Sequence, residues 1–216
     1  MKFEQLLAAV VHDLKNQLQS LLDFEQDALS RIPPQYHQEL WPILQRTNRL
    51  KSDSLQLITL YRFHEDGRFP MDDAWPKDTI SDAIEATSLQ FPTIRFHNLA
   101  SDDCQGFYSE TLVQLALVTL ITNSAQAGAT EIKISADDSG EQLLLEVNDN
   151  GPGFADDILS GEAETTKAGP GGLGLYFVEL IAQHHQQHQR CGSLTIGNRK
   201  LMNQQIGGAQ VKLYLP

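Results

Sequence analysis

The sequence predicts an α+β chain. An N-terminal helical hairpin, paired with a second copy into a four-helix bundle, precedes a two-layer α/β sandwich whose sheet is mixed and mostly antiparallel. Three observations point there. Residues 2–29 and 42–64 repeat apolar side chains at three- and four-residue steps, the period of amphipathic helices. After a polar, proline-bearing stretch, short apolar runs that read as strands alternate with three longer runs that read as helices. Two glycine-bearing stretches, Asp149-Asn150-Gly151-Pro152-Gly153-Phe154 and Gly169-Pro170-Gly171-Gly172-Leu173-Gly174-Leu175, sit where a strand ends and where a helix begins.

Bulk properties narrow the possibilities. With 216 residues the chain holds one or two domains, by the loose rule of about 100–200 residues each; we place them at 1–65 and 66–216. Hydrophobic residues make up 41%, and with 15 Gly the chain has an ordinary globular composition rather than a disordered one. A net charge of −12 opposes non-specific attraction to nucleic acid or to an anionic membrane, so neither is expected as a partner. Cys104 and Cys191 are far apart and lack metal-ligand spacing. They read as free thiols of a reducing cytosol, with one disulfide as the alternative. No basic n-region marks a signal peptide, and since the chain starts at the hairpin no input domain is visible in it. Residues 111–130 carry no charge, yet their apolar part ends at Ile121, far short of the ~20 residues of a membrane span. A soluble, cytoplasmic protein is expected.

In chain order, Phe3, Leu6, Leu7, Val10, Val11, Leu14, Leu18, Leu21 and Leu22 form one stripe of the first helix, leaving His12, Asn16 and Gln19 on the other side. Ile32-Pro33-Pro34 breaks it. Ile43, Leu50 and Leu57 fall at heptad spacing in the second helix. A hairpin alone leaves apolar surface exposed, so a homodimer through these helices is expected, with packing onto the downstream domain as the alternative. Residues 65–79 carry Gly67, Pro70 and Pro76 and read as a linker running into a short strand. Beyond it we read helices over 77–90, 110–127 and 173–189, and strands over 93–98, 105–108, 130–137, 142–149, 193–197 and 209–215, with Gly128 closing the middle helix.

Several residues carry potential chemistry. The glycine stretches permit close backbone approach, and free N–H groups at the start of the last helix favour anionic oxygens such as phosphate, so a nucleotide fits between the two stretches. Taken alone, either stretch is equally an ordinary turn. Asn123 lies on a helix apolar almost all round, where an unpartnered amide costs about 1–3 kcal/mol. It therefore bonds either neighbouring backbone or a ligand with its cation. Asp149 is a carboxylate at a strand end, able to accept from an amine. His12 lies opposite the apolar stripe beside Asp13, with Asn16 one turn on; an exposed His is otherwise simply solvated. His184 and His188 have a four-residue spacing that metals use, but a solvated helix end explains them as well.

In sequence order, Asn123 on a helix, Asp149-x-Gly151-x-Gly153 after a strand, a polar insert and Gly172-Leu173-Gly174-Leu175 opening a helix resemble the ATP-binding domain shared by gyrase, Hsp90, histidine kinases and MutL. The resemblance covers roughly residues 68–216. His12-Asp13-Leu14-Lys15-Asn16 resembles the phosphoacceptor box of the dimerisation hairpin, so the chain as a whole is similar to a two-component sensor histidine kinase. The resemblance implies ATP and Mg²⁺ as cofactors, with Asn123 as the Mg²⁺ ligand and Asp149 selecting adenine. Gly151, Gly153, Gly172, Leu173 and Gly174 would line the nucleotide, and Thr166 and Lys167 in a lid over 155–168 would reach its phosphates. His12 would be the phosphoacceptor, assisted by Asp13 and Asn16, with a response regulator receiver domain as partner. Three positions depart from the family: Gln17 for a frequent Pro, Thr119 for a frequent Asn, and Ala209 for a frequent Thr. Two other functions share the same features. One is a histidine phosphotransferase whose nucleotide-like domain is not catalytic. The other is a serine or threonine kinase or anti-sigma-like switch built on the same ATP domain.

Overall fold

Residues 143–149 alternate buried and half-buried, and this strand is the axis of the second half of the molecule. The computed structural model describes residues 69–160, 172–187, 189–200 and 206–216, together with scattered positions between 16 and 59. The chain divides into two compact units, Met1–Arg68 and Phe69–Pro216.

In the first unit, the described residues between 16 and 31 and between 42 and 59 are helical, apart from Ile32 and Pro33 where the first run stops. Leu21, Phe24, Ile43 and Leu50 are all about half exposed or more. Thr47 and Ser54, four residues beyond Ile43 and Leu50, are buried instead. Among the described residues, the heptad positions Ile43 and Leu50 therefore do not form the inner seam of a single copy.

The second unit runs β1 (Asp72–Ala74), α1 (Pro76–Ser88), β2 (Arg95–Asn98), β3 (Gly106–Tyr108), α2 (Glu110–Gln126), β4 (Glu131–Asp137), β5 (Leu143–Asp149), α3 (Asp156–Leu159), α4 (Gly172–His184), β6 (Gln186–Gln187), β7 (Arg190–Cys191), β8 (Ser193–Lys200) and β9 (Ile206–Leu215). Five strands form the main sheet in the order β2-β4-β5-β9-β8. Only β2 with β4 is parallel; the other pairs are antiparallel. The sheet is thus mixed and mostly antiparallel, as the sequence predicts. β1 pairs with β3, and β6 with β7, as separate two-stranded ribbons.

Strand alternation sets the core. Ile132 and Ile134 of β4, Leu143, Leu145 and Val147 of β5, and Val211, Leu213 and Leu215 of β9 are buried. They meet a layer in which α1 packs on α2 and α2 on α4. α2 is the central helix, burying Leu112, Val113, Ala116, Leu117, Leu120 and Ile121, which is why its sequence is apolar nearly all round. Pro76 opens α1, where its fixed φ and missing N–H cost nothing. Gly128 stops α2 in the left-handed region, φ 91°.

The largest departures from the expected ranges lie at three boundaries. The last helix ends at His184 rather than 189, because the next residue turns inward: His185 is buried, its Nδ1 2.8 Å from the Ile181 carbonyl, and its Nε2 accepts from the Ser109 N–H at 3.0 Å. The chain then reverses through Gln189, φ 67°, into β7. β8 and β9 reach further than expected, pairing past a bulge between Asn198 and Lys200. A four-residue helix, α3, occupies the start of the insert.

Candidate functional site

Alternation along β5 turns Asp149 to the same side as Leu145 and Val147, so a carboxylate sits at the end of an apolar row, facing the helices and nearly fully buried. It is held from three directions. Its Oδ1 accepts from the N–H groups of Gly151 (2.8 Å) and Ala209 (2.9 Å), and its Oδ2 accepts from the Ser124 hydroxyl of α2 at 2.7 Å. A buried charge is tolerable only with such partners.

The turn after Asp149 is fixed by its neighbours. Asn150 Oδ1 accepts from the N–H groups of Thr130 and Glu131, and its Nδ2 donates to Thr130 Oγ1. Gly153 has φ 80°, and a methyl there would come within 2.6 Å of Asn198 Oδ1, so only glycine fits. Asn198 of β8 in turn accepts from the Phe154 N–H and donates to its carbonyl. Gly151 is half-buried between Asp149 and Ala129.

Asn123 lies one residue before Ser124 on α2. Its Nδ2 is buried and has no hydrogen-bond partner. It sits against the first turn of α4, where a methyl on Gly174 would approach it to 3.0 Å and Thr119 Cγ2 to 3.2 Å. Gly172 and Leu173 are the first residues of that helix, and Gly174 is buried. An amide with an unmet donor therefore lies beside the first turn of a helix, whose leading N–H groups and dipole favour an anion. This donor set fits the phosphate end of a nucleotide. Among the described residues no group of three or more His, Cys, Asp or Glu is placed to hold a metal. A divalent cation here would use the Asn123 carbonyl oxygen and take its other oxygens from phosphate and water, a mode natural to Mg²⁺.

The structure thus brings Asp149, Gly151, Gly153, Asn123 and Gly174 around α2, the β5 end and the α4 start. Asn16 is exposed on the first helical run. His12, Asp13, Thr166 and Lys167 lie outside the described residues. Sequence reasoning missed Ser124 and Asn198, whose partners are 25 and 44 residues away. The one available signal for Ser124 was its place beside Asn123. His184 packs edge-on against Phe69, with centroids 5.8 Å apart, and its helix ends there; His188 lies outside the described residues. Cys104 is buried and Cys191 exposed, and both are free.

Comparison with known proteins gives the same picture. Residues 108–216 match the family described as histidine kinase-, DNA gyrase B- and HSP90-like ATPase. The tetrathionate sensor histidine kinase TtrS of Salmonella typhimurium is 24% identical over 208 residues, covering 90% of this chain. The chain spans about a third (34%) of that relative. Among solved structures, the ATP-binding domain of PrrB from Mycobacterium tuberculosis is similar with TM-score 0.55 and 24% identity, over 68% of this chain and 96% of that one. Full-length ShkA in complex with AMPPNP is similar with TM-score 0.66 and 16% identity, over 98% of this chain and 45% of that one.

Proposed function

Because this chain belongs to the histidine kinase-, DNA gyrase B- and HSP90-like ATPases, we propose that it is a cytoplasmic histidine kinase of a two-component system. It binds Mg-ATP, phosphorylates its own His12 and passes the phosphoryl group to an Asp of a response regulator. The observation that carries the nucleotide part is the pairing of a caged, inward carboxylate with an unpartnered amide at a helix start. Asp149 Oδ2 accepts the exocyclic amine of adenine. Gly151 and Gly153 let the backbone turn close to the base, and the α4 N–H groups with Gly172, Leu173 and Gly174 receive the phosphates. Asn123 would hold Mg²⁺, which would supply charge neutralisation on those phosphates.

His12 then attacks the γ-phosphorus in line: a P–N bond forms, the bond to the bridging oxygen breaks, and ADP leaves. Asp13 accepts a hydrogen bond from the far imidazole nitrogen and takes its proton as the near nitrogen attacks, so the ring carries no net charge once the P–N bond has formed. Thr166 and Lys167 of the lid steady the terminal phosphate, and Asn16, exposed on its helix, orients a water for the reverse phosphatase reaction. Positioning and electrostatics provide most of the acceleration. The exposed Leu21, Phe24, Ile43 and Leu50 support burial against a second copy, giving a homodimer through residues 1–65 onto which the receiver domain docks. Among the described residues no helix is long and apolar enough to cross a membrane.

The test is incubation with γ-labelled ATP and Mg²⁺. Acid-labile, base-stable label on the wild type and none on His12→Gln is the expected result. ATP bound without any label on His12 would move the assignment to a serine or threonine kinase or a switch.

A further inference from the structure

We infer that Ser124 is the positioning residue that makes the base pocket select a 6-amino over a 6-oxo purine, by committing its only hydroxyl hydrogen to Asp149. This rests on the proposed nucleotide site. The argument is one of hydrogen-bond capacity. An ionised carboxylate only accepts, so in the 2.7 Å contact the hydrogen belongs to Ser124 Oγ. Asp149 Oδ1 already takes two backbone N–H groups, from Gly151 and Ala209. Of the roughly four lone-pair sites on a carboxylate, one is left, and it is on Oδ2. Ser124 and Asp149 are both buried, so rearrangement toward solvent is blocked.

The pair therefore meets a base with lone pairs alone. An amine donates to Oδ2 and is accommodated. A carbonyl at the same place would face Oδ2 and Oγ, two acceptors with no hydrogen between them and the ligand, and the mismatch is expensive in a buried site. Ala209 has no side-chain hydroxyl of its own, so on the described structure Ser124 is the hydroxyl that bonds this carboxylate. Replacing Ser124 by alanine leaves Oδ2 with two open sites and room for a water. Such a water turns freely, donating to Asp149 with one hydrogen and to a 6-oxo group with the other. Discrimination falls even though Asp149 is intact.

The experiment is calorimetric binding of ATP and ITP, with Mg²⁺, to the full chain as wild type, Ser124→Ala, Ser124→Thr and Ser124→Cys. The last keeps the volume but weakens the donor, and it substitutes for the alanine variant if that variant does not fold. Wild type and Ser124→Thr are expected to prefer ATP alike. Ser124→Ala is expected to lower the ratio of ITP to ATP dissociation constants roughly tenfold through the added water, and Ser124→Cys to lower it in the same direction, because a thiol bonds Asp149 weakly and can turn its hydrogen to a 6-oxo group. A merely structural role would weaken both nucleotides together and leave the ratio unchanged, which overturns the inference while the nucleotide site stands. Failure of the wild type to bind ATP overturns the nucleotide site itself, and the inference with it.

Discussion

At the scale of single residues, the unmet donor of Asn123 separates stability from binding. A buried amide without a partner costs about 1–3 kcal/mol, so Asn123→Ala is expected to leave the melting temperature of the free protein level or raised, the small cavity offset by removal of the orphan group. The same variant should lose the thermal shift that Mg-ATP gives the wild type; a scan with and without nucleotide reads both. The cysteines differ in the opposite sense. Burial, reinforced by Asp138, pushes the Cys104 thiol up to about 11, whereas Cys191 is exposed. One thiol per chain should react with a maleimide at neutral pH, at Cys191, and the second only in denaturant. Asp149 and Gly153 were legible because strand alternation and turn chemistry are local. Ser124 and Asn198 were not, since their roles come from partners 25 and 44 residues away, which no local window of sequence contains.

At the scale of elements, His185 ties the end of α4 to the first residue before α2. Burial holds its imidazole below the usual value of 6.5, with the Ile181 carbonyl opposing and His184 adding to the depression. Because the folded value is the lower one, the unfolded chain takes up the proton first as pH falls. The stability contributed by the neutral ring is complete above about pH 6.5 and is lost as pH drops through the window beneath it. Urea denaturation at pH 7.5 and 5.5 should show this loss, and His185→Leu should flatten it. That variant should also be less stable at pH 7.5 by about 1–3 kcal/mol, as the Ser109 N–H and Ile181 carbonyl lose their partner. The same residue explains where reading helices from sequence failed. Gln186, Gln187 and Gln189 are adequate helix formers, so nothing local stops α4 at His184; the tertiary bond of His185 does. Gly128, by contrast, announced the end of α2 unaided.

At the scale of the whole molecule, the division at Arg68 and Phe69 places every described residue of the nucleotide site in the second unit. Residues 69–216 alone should fold cooperatively and bind Mg-ATP within about threefold of the full chain, while behaving as a monomer in ultracentrifugation. The full chain should sediment as a dimer. The layered α+β class was legible because α2 is one long apolar run closed by Gly128 and the strands are short apolar runs between turn residues. Ile43 and Leu50 are exposed in a single copy, and heptad spacing alone does not say which surface covers them. The strand order has a further effect on how the sheet is assembled. β9 comes after β8 in the chain but lies between β5 and β8. During synthesis β8 therefore leaves the ribosome with no neighbour to zip against, and the Ala209 amide that clasps Asp149 follows later still. Until that last strand slides into the gap, the nascent chain holds an open edge and Asp149 lacks one of its two Oδ1 donors, so a stall before residue 206 is expected to leave an aggregation-prone species.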